Sequence, residues 1–213
     1  MTPKRIAEIT PLENWGGIER KLLDFLFAPH STNLEYFLIT TSSKPDLIRL
    51  VLEHKIPWFQ PGNTIRYDPG KITAITRYLI SQKVDLVHSY NAYGNAWANL
   101  ALLFMHNPPP LITSEDGSIW FVKPPIRWLD WMAQRRARMV IANSNASALM
   151  LQKCYGISVS KIRVVYNGVQ IQHHQTMAEA RMKLQIPLDV KVVGSVGRLD
   201  TPKDYWTLVD AAA

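Results

Sequence analysis

The 213-residue sequence contains one cysteine, Cys154, and an intrachain disulfide is therefore excluded. It has no long apolar run, because its most apolar stretch, residues 96–105, is far shorter than the roughly 18 to 20 residues that span a bilayer. The N-terminal region also lacks the apolar segment of a secretory signal, since Pro11 and Glu13 interrupt it. These absences predict a soluble chain of a reducing compartment.

The composition is that of a folded protein with an excess of positive charge. Hydrophobic residues make up 47% of the chain, which is enough for a core, and the formal net charge is +7. Such a charge favours an anionic partner: a nucleic acid, an acidic membrane surface or a phosphorylated substrate. Composition alone leaves these three classes open.

Short apolar segments alternate with longer segments in which apolar residues recur at helical spacing. The segments predicted as strands are residues 6–10, 35–40, 84–88, 111–113, 138–142 and 162–166. The first predicted helix begins at Ile18, and the others cover residues 45–54, 71–83, 96–104 and 146–155. A turn is expected at Tyr93 and Gly94. This alternation predicts an α/β fold with a doubly wound, mostly parallel, Rossmann-like sheet.

The alternating pattern lapses near residue 170 and then resumes with a helix over 177–184, a strand over 190–196 and a helix from 203 or 204 onwards. One strand and one helix cannot bury a core by themselves. We therefore expect an N-terminal domain over residues 1–169, a linker and helix over 170–189, and the start of a second domain over 190–213.

Two adjacent glycines, Gly16 and Gly17, stand between the first predicted strand and the first predicted helix. Without side chains, they allow a ligand to approach the amides at the start of a helix, an arrangement that suits an anionic group such as phosphate. Paired glycines are also common in tight turns that have no ligand. The local sequence leaves both interpretations open.

Several separated stretches resemble the GT-B glycosyltransferases of family 4: residues 16–20, 84–88, 141–144, 162–169, and 196–199 with Lys203 and Asp204. The resemblance implies two Rossmann-like domains that face each other across a cleft, with the acceptor mainly on the first and the nucleotide-sugar mainly on the second. It implies a retaining transfer that needs no cofactor or metal. It also implies a lipid-linked saccharide acceptor, surface polysaccharide or lipopolysaccharide synthesis, and a cytoplasmic enzyme peripheral on the inner face of the cytoplasmic membrane.

The resemblance also assigns residues to the donor. Gly16 and Gly17 match the loop beside the donor phosphates and the transferred sugar, and Arg198 and Lys203 match cations that contact the diphosphate; both cations could instead be solvated surface charges. The family's Glu-x7-Glu signature of the second domain is not found in this sequence. We therefore expect the 213-residue chain to be inactive alone.

Two residues are candidates for a catalytic role. Many relatives carry Glu-His-Gly after the strand that matches residues 111–113, whereas this sequence has Glu115-Asp116-Gly117. Asp116 can accept a hydrogen bond and balance positive charge on the sugar, but it cannot donate as imidazole does. A turn or helix-cap role for Asp116 is the alternative, and His88 at a strand end is equally compatible with acceptor contact and with a structural role.

Ligands of open parallel sheets bind beyond the carboxyl ends of the strands. The polar residues expected to contact the acceptor there are Glu19, Arg20, Tyr90, Glu115, Asn143 and Ser144. His173 and His174 have no third ligand at metal spacing, and no metal site is predicted.

The segment over residues 120–138 combines aromatic and basic side chains, an arrangement typical of a bilayer interface with anionic lipid. The residues predicted to contact the membrane are Trp120, Lys123, Arg127, Trp128, Trp131, Arg135 and Arg136. Helical spacing of Trp128, Leu129 and Met132 is also compatible with simple packing on the sheet.

Functions of other classes fit the sequence less well. A non-enzymatic basic α/β module that binds nucleic acid or membrane would explain the charge, but the sequence has no RNP-like, zinc-finger or helix-turn-helix signature. A dinucleotide-dependent oxidoreductase is disfavoured because no Gly-x-Gly-x-x-Gly follows the first strand.

Overall fold

The computed structural model describes residues 2–31, 33–62, 68–116, 122–168, 175–197, 199 and 203–212. The chain divides into two compact units, Met1–Gly168 and Val169–Ala213. Across the described residues, every helix is too short or too polar to cross a bilayer.

The first unit is built on a seven-stranded sheet in which every pair of neighbouring strands is parallel, in the order β3-β2-β1-β4-β5-β6-β7. The strands are β1 (Lys4–Leu12), β2 (Leu34–Ser43), β3 (Trp58–Phe59), β4 (Leu86–Tyr90), β5 (Leu111–Glu115), β6 (Met139–Ala142) and β7 (Ile162–Val164). The predicted doubly wound, Rossmann-like α/β fold is confirmed.

Helices connect the strands and cover the sheet. They are α1 (Gly17–Phe27), α2 (Pro45–Glu53), α3 (Gly70–Ser81), α4 (Asn91–Leu103), α5 (Ile126–Arg136) and α6 (Asn145–Tyr155), followed in the second unit by α7 (Met177–Lys183) and α8 (Tyr205–Ala212). Side chains of successive strand residues point to opposite faces of a sheet. Accordingly, Leu38 packs in the apolar cluster of α1 and α2, and Ile39 in the cluster of α3 to α6.

Capping residues define both ends of α6. The Ser144 side chain accepts a hydrogen bond from the Ser147 amide, and Gly156 closes the helix with a left-handed backbone at φ 65°. Only glycine adopts that conformation without a steric cost, and this is why the helix ends there.

The expected turn at Tyr93 and Gly94 was wrong, because both residues lie inside α4. The helix begins at Asn91, whose Oδ1 accepts hydrogen bonds from the amides of Tyr93 and Gly94. Gly94 is needed for close packing: a Cβ at this position would lie 2.6 Å from the carbonyl oxygen of Ile9 in β1. The glycine therefore marks the contact of a helix with a strand.

Two strands extend further than the sequence pattern predicts. β4 continues past His88 to Tyr90, and β5 continues through Ser114 to Glu115. Register pairing explains both, since Tyr90 lies opposite Ser114 and Glu115 lies opposite Ala142. Polar residues can occupy strand positions when a neighbouring strand satisfies their backbone.

The strand predicted over residues 190–196 is absent, because residues 191–196 have no regular secondary structure. A strand needs a neighbour for its backbone hydrogen bonds. The described residues of the second unit contain the helices α7 and α8 and offer no strand as a partner.

The replacement Gly94→Ala should lower the free energy of unfolding by about 1 to 3 kcal/mol, because the added methyl group pushes α4 away from β1. Gly168→Ala is the matched control, since a Cβ at Gly168 meets no atom within 4 Å. Urea denaturation of both variants checks this. Equal stability of Gly94→Ala and the wild type would contradict the packing role of the glycine.

Candidate functional site

The carboxyl ends of β1, β4, β5 and β6 lie along one edge of the sheet, because all four strands are parallel. The N-terminus of α1 follows β1, and the N-terminus of α6 follows β6. Polar side chains from these ends meet at this edge, which we call the carboxyl edge. It contains most of the predicted site residues.

The glycine pair opens α1. Gly16 is the N-cap, with an extended backbone at φ −105° and ψ 177°, a conformation open to any residue. The backbone angles of Gly16 therefore do not require a glycine. Access is the remaining reason for glycine, since a Cβ on Gly17 would meet no atom within 4 Å. The first amides of a helix have no intrahelical acceptor, and they follow a glycine whose side-chain position is open space.

Glu19 and Arg20 lie on the first turn of α1. A Cβ on Gly16 would lie 2.5 Å from Glu19 Oε2, so the glutamate side chain folds back over the start of the helix. Arg20 is exposed and forms an ion pair with Asp24 one turn further along, at 3.2 Å.

An ion pair joins α1 to the end of β5. The Lys21 ammonium donates a 2.7 Å hydrogen bond to Asp116 Oδ1, and the side chains are 24% and 6% exposed. Lys21 follows Gly17 by one helical turn, so the ion pair connects Asp116 to the first two turns of α1. The second oxygen, Asp116 Oδ2, is buried and has no hydrogen-bond partner among the described residues. It is therefore an acceptor without a donor at the end of β5.

His88 is the centre of a second polar group, on the face of the sheet that α1 and α2 cover. Its Nδ1 lies 3.0 Å from Glu8 Oε2 and 3.1 Å from the Tyr90 hydroxyl. Its Nε2 lies 2.8 Å from Ser114 Oγ. The ring thus links β1, β4 and β5 directly below the carboxyl edge.

The Glu8 carboxylate is 1% exposed, and its charge affects the neighbouring phenols. Burial, and then the Glu8 charge, raise the pKa of Tyr36 above its usual value. Burial and Glu8 also raise the pKa of Tyr90, which is 4% exposed. Both phenols therefore stay neutral, and Tyr90 presents little surface to an acceptor.

Glu115 lies on the opposite face of the sheet from the His88 group. It is fully buried, and Gln134 of α5 donates a 3.2 Å hydrogen bond to its Oε2. Asp130 accepts hydrogen bonds from Asn95 and Tyr155, each at 2.8 Å. Burial raises the pKa of Asp130, although its hydrogen bonds act in the other direction. These buried groups fix α4, α5 and α6 beneath β5.

Asn143 and Ser144 connect β6 to α6. Asn143 Oδ1 accepts a 2.7 Å hydrogen bond from Ser147 Oγ, and Ser144 caps the helix. Both side chains are half-buried. The structure therefore gives each of them a role in starting α6, at the same edge where the acceptor is predicted to bind.

The predicted membrane residues lie on and beside α5. Lys123, Arg127 and Trp128 are exposed, Trp128 to 59%. Trp131 lies under Arg135, whose Cζ is 5.2 Å from the ring centroid. These residues form the exposed surface on and beside α5, which we call the outer side of α5.

Other predicted residues lie elsewhere. Arg136 donates to Asn99 Oδ1 at 2.7 Å, and Lys203 is exposed in the second unit, where its side chain passes within 3.6 Å of a Cβ built on Gly197. Trp120, Arg198, His173 and His174 lie outside the described residues. Within the described ranges, no three metal-ligating side chains cluster.

Comparison with protein families decides the relationship. The family model described as Glycosyltransferase Family 4 matches residues 15–173, a span that contains the glycine start of α1, Lys21, His88, Asp116 and α6. The chain belongs to glycosyltransferase family 4. A comparison with curated proteins gave no match.

Solved structures share the fold of this family 4 chain. The UDP-glucose complex of Alr3699/HepE from Anabaena has a TM-score of 0.76 and 20% identity, over 98% of this chain and 57% of that one. A glycosyltransferase from Rickettsia africae has a TM-score of 0.67 and 18% identity, over 100% of this chain and 57% of that one. The lipopolysaccharide outer core galactosyltransferase WaaB has a TM-score of 0.60 and 19% identity, over 79% of this chain and 47% of that one. The fold is that of the N-terminal half of a GT-B glycosyltransferase.

This family 4 chain therefore spans a little over half the length of HepE and the Rickettsia protein. The structure gives buried or paired roles to three residues that the sequence analysis missed: Glu8, Lys21 and Lys71. Glu8 could have been identified from the sequence, because it places a charged side chain inside an apolar strand. Lys21 could not, because its partner Asp116 is 95 positions away. Lys71 likewise stood in a helical pattern, yet its Nζ donates a 2.8 Å hydrogen bond to the Thr41 carbonyl and burial lowers its pKa.

A double-mutant cycle of Lys21→Met and Asp116→Asn should give a coupling free energy of about 1 to 3 kcal/mol, because the pair is largely buried. The control is the cycle of Arg20→Met and Asp24→Asn on the same helix, whose side chains are 68% and 58% exposed, and its coupling should be smaller. Chemical denaturation measures both. Equal coupling in the two cycles would show that the Lys21 pair is an ordinary surface contact.

Proposed function

We propose that this chain is the acceptor-side half of a retaining glycosyltransferase that transfers a sugar from a nucleotide-diphosphate sugar to a saccharide acceptor. The observation that carries the proposal is the Lys21–Asp116 ion pair, which holds a carboxylate with an unpartnered oxygen beside the open start of α1. Family membership and the UDP-glucose bound to HepE support a nucleotide-sugar donor.

The start of α1 suits the leaving group of such a reaction. Breaking the bond between the sugar and the diphosphate builds negative charge on the departing nucleotide. The amides of the first turn and the positive end of the helix dipole stabilise that charge. Gly17 is exposed and has no Cβ, so a phosphate or the transferred sugar can approach these amides closely.

Asp116 suits the sugar or the acceptor. Its free oxygen can accept a hydrogen bond from a hydroxyl, or balance positive charge that develops on the sugar ring in the transition state. Lys21 fixes the carboxylate in place through the other oxygen. His88, bridged to Ser114, holds the end of β5 from which Asp116 extends. We assign Asp116 to substrate contact and His88 to its support.

The remaining donor contacts belong to the second unit. We propose that Arg198 and Lys203 neutralise the donor diphosphate, and that the reaction uses no metal. The acceptor is proposed to be a lipid-linked saccharide for surface polysaccharide, a class to which the lipopolysaccharide substrate named for WaaB belongs. We propose that the 213-residue chain alone does not transfer sugar, since it spans 57% of the length of HepE.

In the full-length protein, Gly17→Trp should lower kcat/KM for sugar transfer at least about 100-fold, because the indole fills the space beside the first amides of α1. The fold should survive, since a side chain at this position enters open space. Transfer from radiolabelled nucleotide-sugars measures the effect.

The matched control for this variant is Gly17→Ala. Its methyl group leaves room for the ligand, and we expect its kcat/KM to stay within about threefold of the wild type. Unchanged turnover by a folded Gly17→Trp variant would remove the start of α1 from the site.

We further propose that the outer side of α5 brings the enzyme to a membrane that contains anionic lipid, with Arg127 among the headgroups and Trp128 at the interface. The proximity of the exposed Trp128 to the exposed Arg127 and Arg135 on one helix supports this proposal, because an aromatic ring beside cations suits a bilayer interface.

Liposome flotation tests the membrane proposal. Vesicles with anionic lipid should carry the protein, and Trp128→Ala should lower the bound fraction at least about threefold. Trp15→Ala is the control, since Trp15 is 57% exposed but lies beside the glycine pair. Binding that does not depend on anionic lipid, or an equal loss in both variants, would contradict the proposal.

A further inference from the structure

A pocket of about 270 Å³ opens at the edge of the sheet opposite the candidate site. It lies where β5 begins, at Leu111, and just before β6, at Arg138. Asn99 of α4, Arg136 at the end of α5 and the proline run over residues 108–110 complete its wall. Its volume equals that of several water molecules of roughly 30 Å³ each.

The amide of Asn99 has a fixed orientation in this wall. Arg136 Nη1 donates a 2.7 Å hydrogen bond to Asn99 Oδ1, and a guanidinium can only donate, so the oxygen of the amide must face the arginine. The Asn99 Nδ2 group points away from the arginine. It is buried, without a hydrogen-bond partner among the described residues, in a residue that is 0% exposed.

The wall offers hydrogen-bond donors and no acidic side chain. Arg136 and Arg138 contribute two guanidinium groups, and the other side chains around the pocket are those of Asn99, prolines and leucines. An arginine at the end of α5 also balances the negative end of the helix dipole, which is a sufficient reason for Arg136 alone. It does not account for Arg138, which lies beyond the helix, or for the unpaired amide of Asn99.

We propose that this pocket binds a phosphate group, either as inorganic phosphate or as the phosphomonoester of a lipid headgroup. Guanidinium groups bind phosphate through paired, charge-assisted hydrogen bonds. Asn99 Oδ1 holds the Arg136 guanidinium in position at the wall. Because the pocket lies at the amino-terminal edge, it is separate from the sugar-transfer site and does not depend on the proposed reaction. Its role is to sense or anchor phosphate.

Nuclear magnetic resonance of the 213-residue chain tests this directly. Titration with inorganic phosphate should shift the side-chain amide signal of Asn99 in a saturable way, whereas chloride at equal ionic strength should not. Arg138→Gln should weaken the apparent affinity at least about fivefold, because it removes one of the two charged donors. Arg77→Gln carries the same charge change on α3, at another exposed position, and its affinity should match the wild type.

Vesicles distinguish the two sources of phosphate. Phosphatidic acid vesicles are compared with phosphatidylglycerol vesicles, because α5 is proposed to bind anionic lipid of either kind and only phosphatidic acid has a phosphomonoester. Stronger flotation on phosphatidic acid that inorganic phosphate and Arg138→Gln both remove supports the pocket and assigns it to lipid. Saturable binding of inorganic phosphate without this preference supports the pocket and assigns it to soluble phosphate. No shift of the Asn99 signal, an equal shift with chloride, or equal affinities of Arg138→Gln and Arg77→Gln would overturn the proposal.

Discussion

The parallel direction of all seven strands determines where this molecule can do chemistry. Parallel pairing brings the carboxyl ends of β1, β4, β5 and β6 to one edge, and the helices that follow β1 and β6 present their unpaired amides there. Gly16, Lys21, Asp116 and Ser144 meet at that edge for this reason, although they are distant in sequence. The opposite edge contains the beginnings of the strands, and the arginine-lined pocket found there is a separate site.

Buried polar groups on both faces of the sheet support the carboxyl edge. On one face, Glu8 and Ser114 contact the two nitrogens of His88. On the other, Gln134 connects Glu115 to Asp130. Each of these groups would lower stability if it were left unpaired, so each specifies one arrangement of its neighbours. The rigidity of β5 beneath Asp116 follows from contacts on both of its sides.

The alternation of strands and helices, and with it the parallel fold, could be read from the sequence, because apolar periodicity and caps such as Ser144 and Gly156 are local signals. Contacts that depend on the fold could not. Gly94 was predicted as a turn because its reason, contact with the backbone of β1, is invisible locally. The open space at Gly17 agrees with the predicted access for a ligand, which stays a prediction, and Lys21 was missed because its partner Asp116 is distant in sequence. The predicted strand over residues 190–196 failed because a strand also needs a neighbour.

The central claim is that the carboxyl edge of this domain is one wall of a sugar-transfer site, with Asp116 in contact with substrate. The most direct test is the kcat/KM of the full-length protein for transfer from nucleotide-sugars, compared between Asp116→Asn and Asp24→Asn. Asp116→Asn should lower it at least about 100-fold, as expected for a charge that acts in the transition state, and Asp24→Asn should leave it within about twofold. A folded Asp116→Asn variant as active as Asp24→Asn would contradict the account.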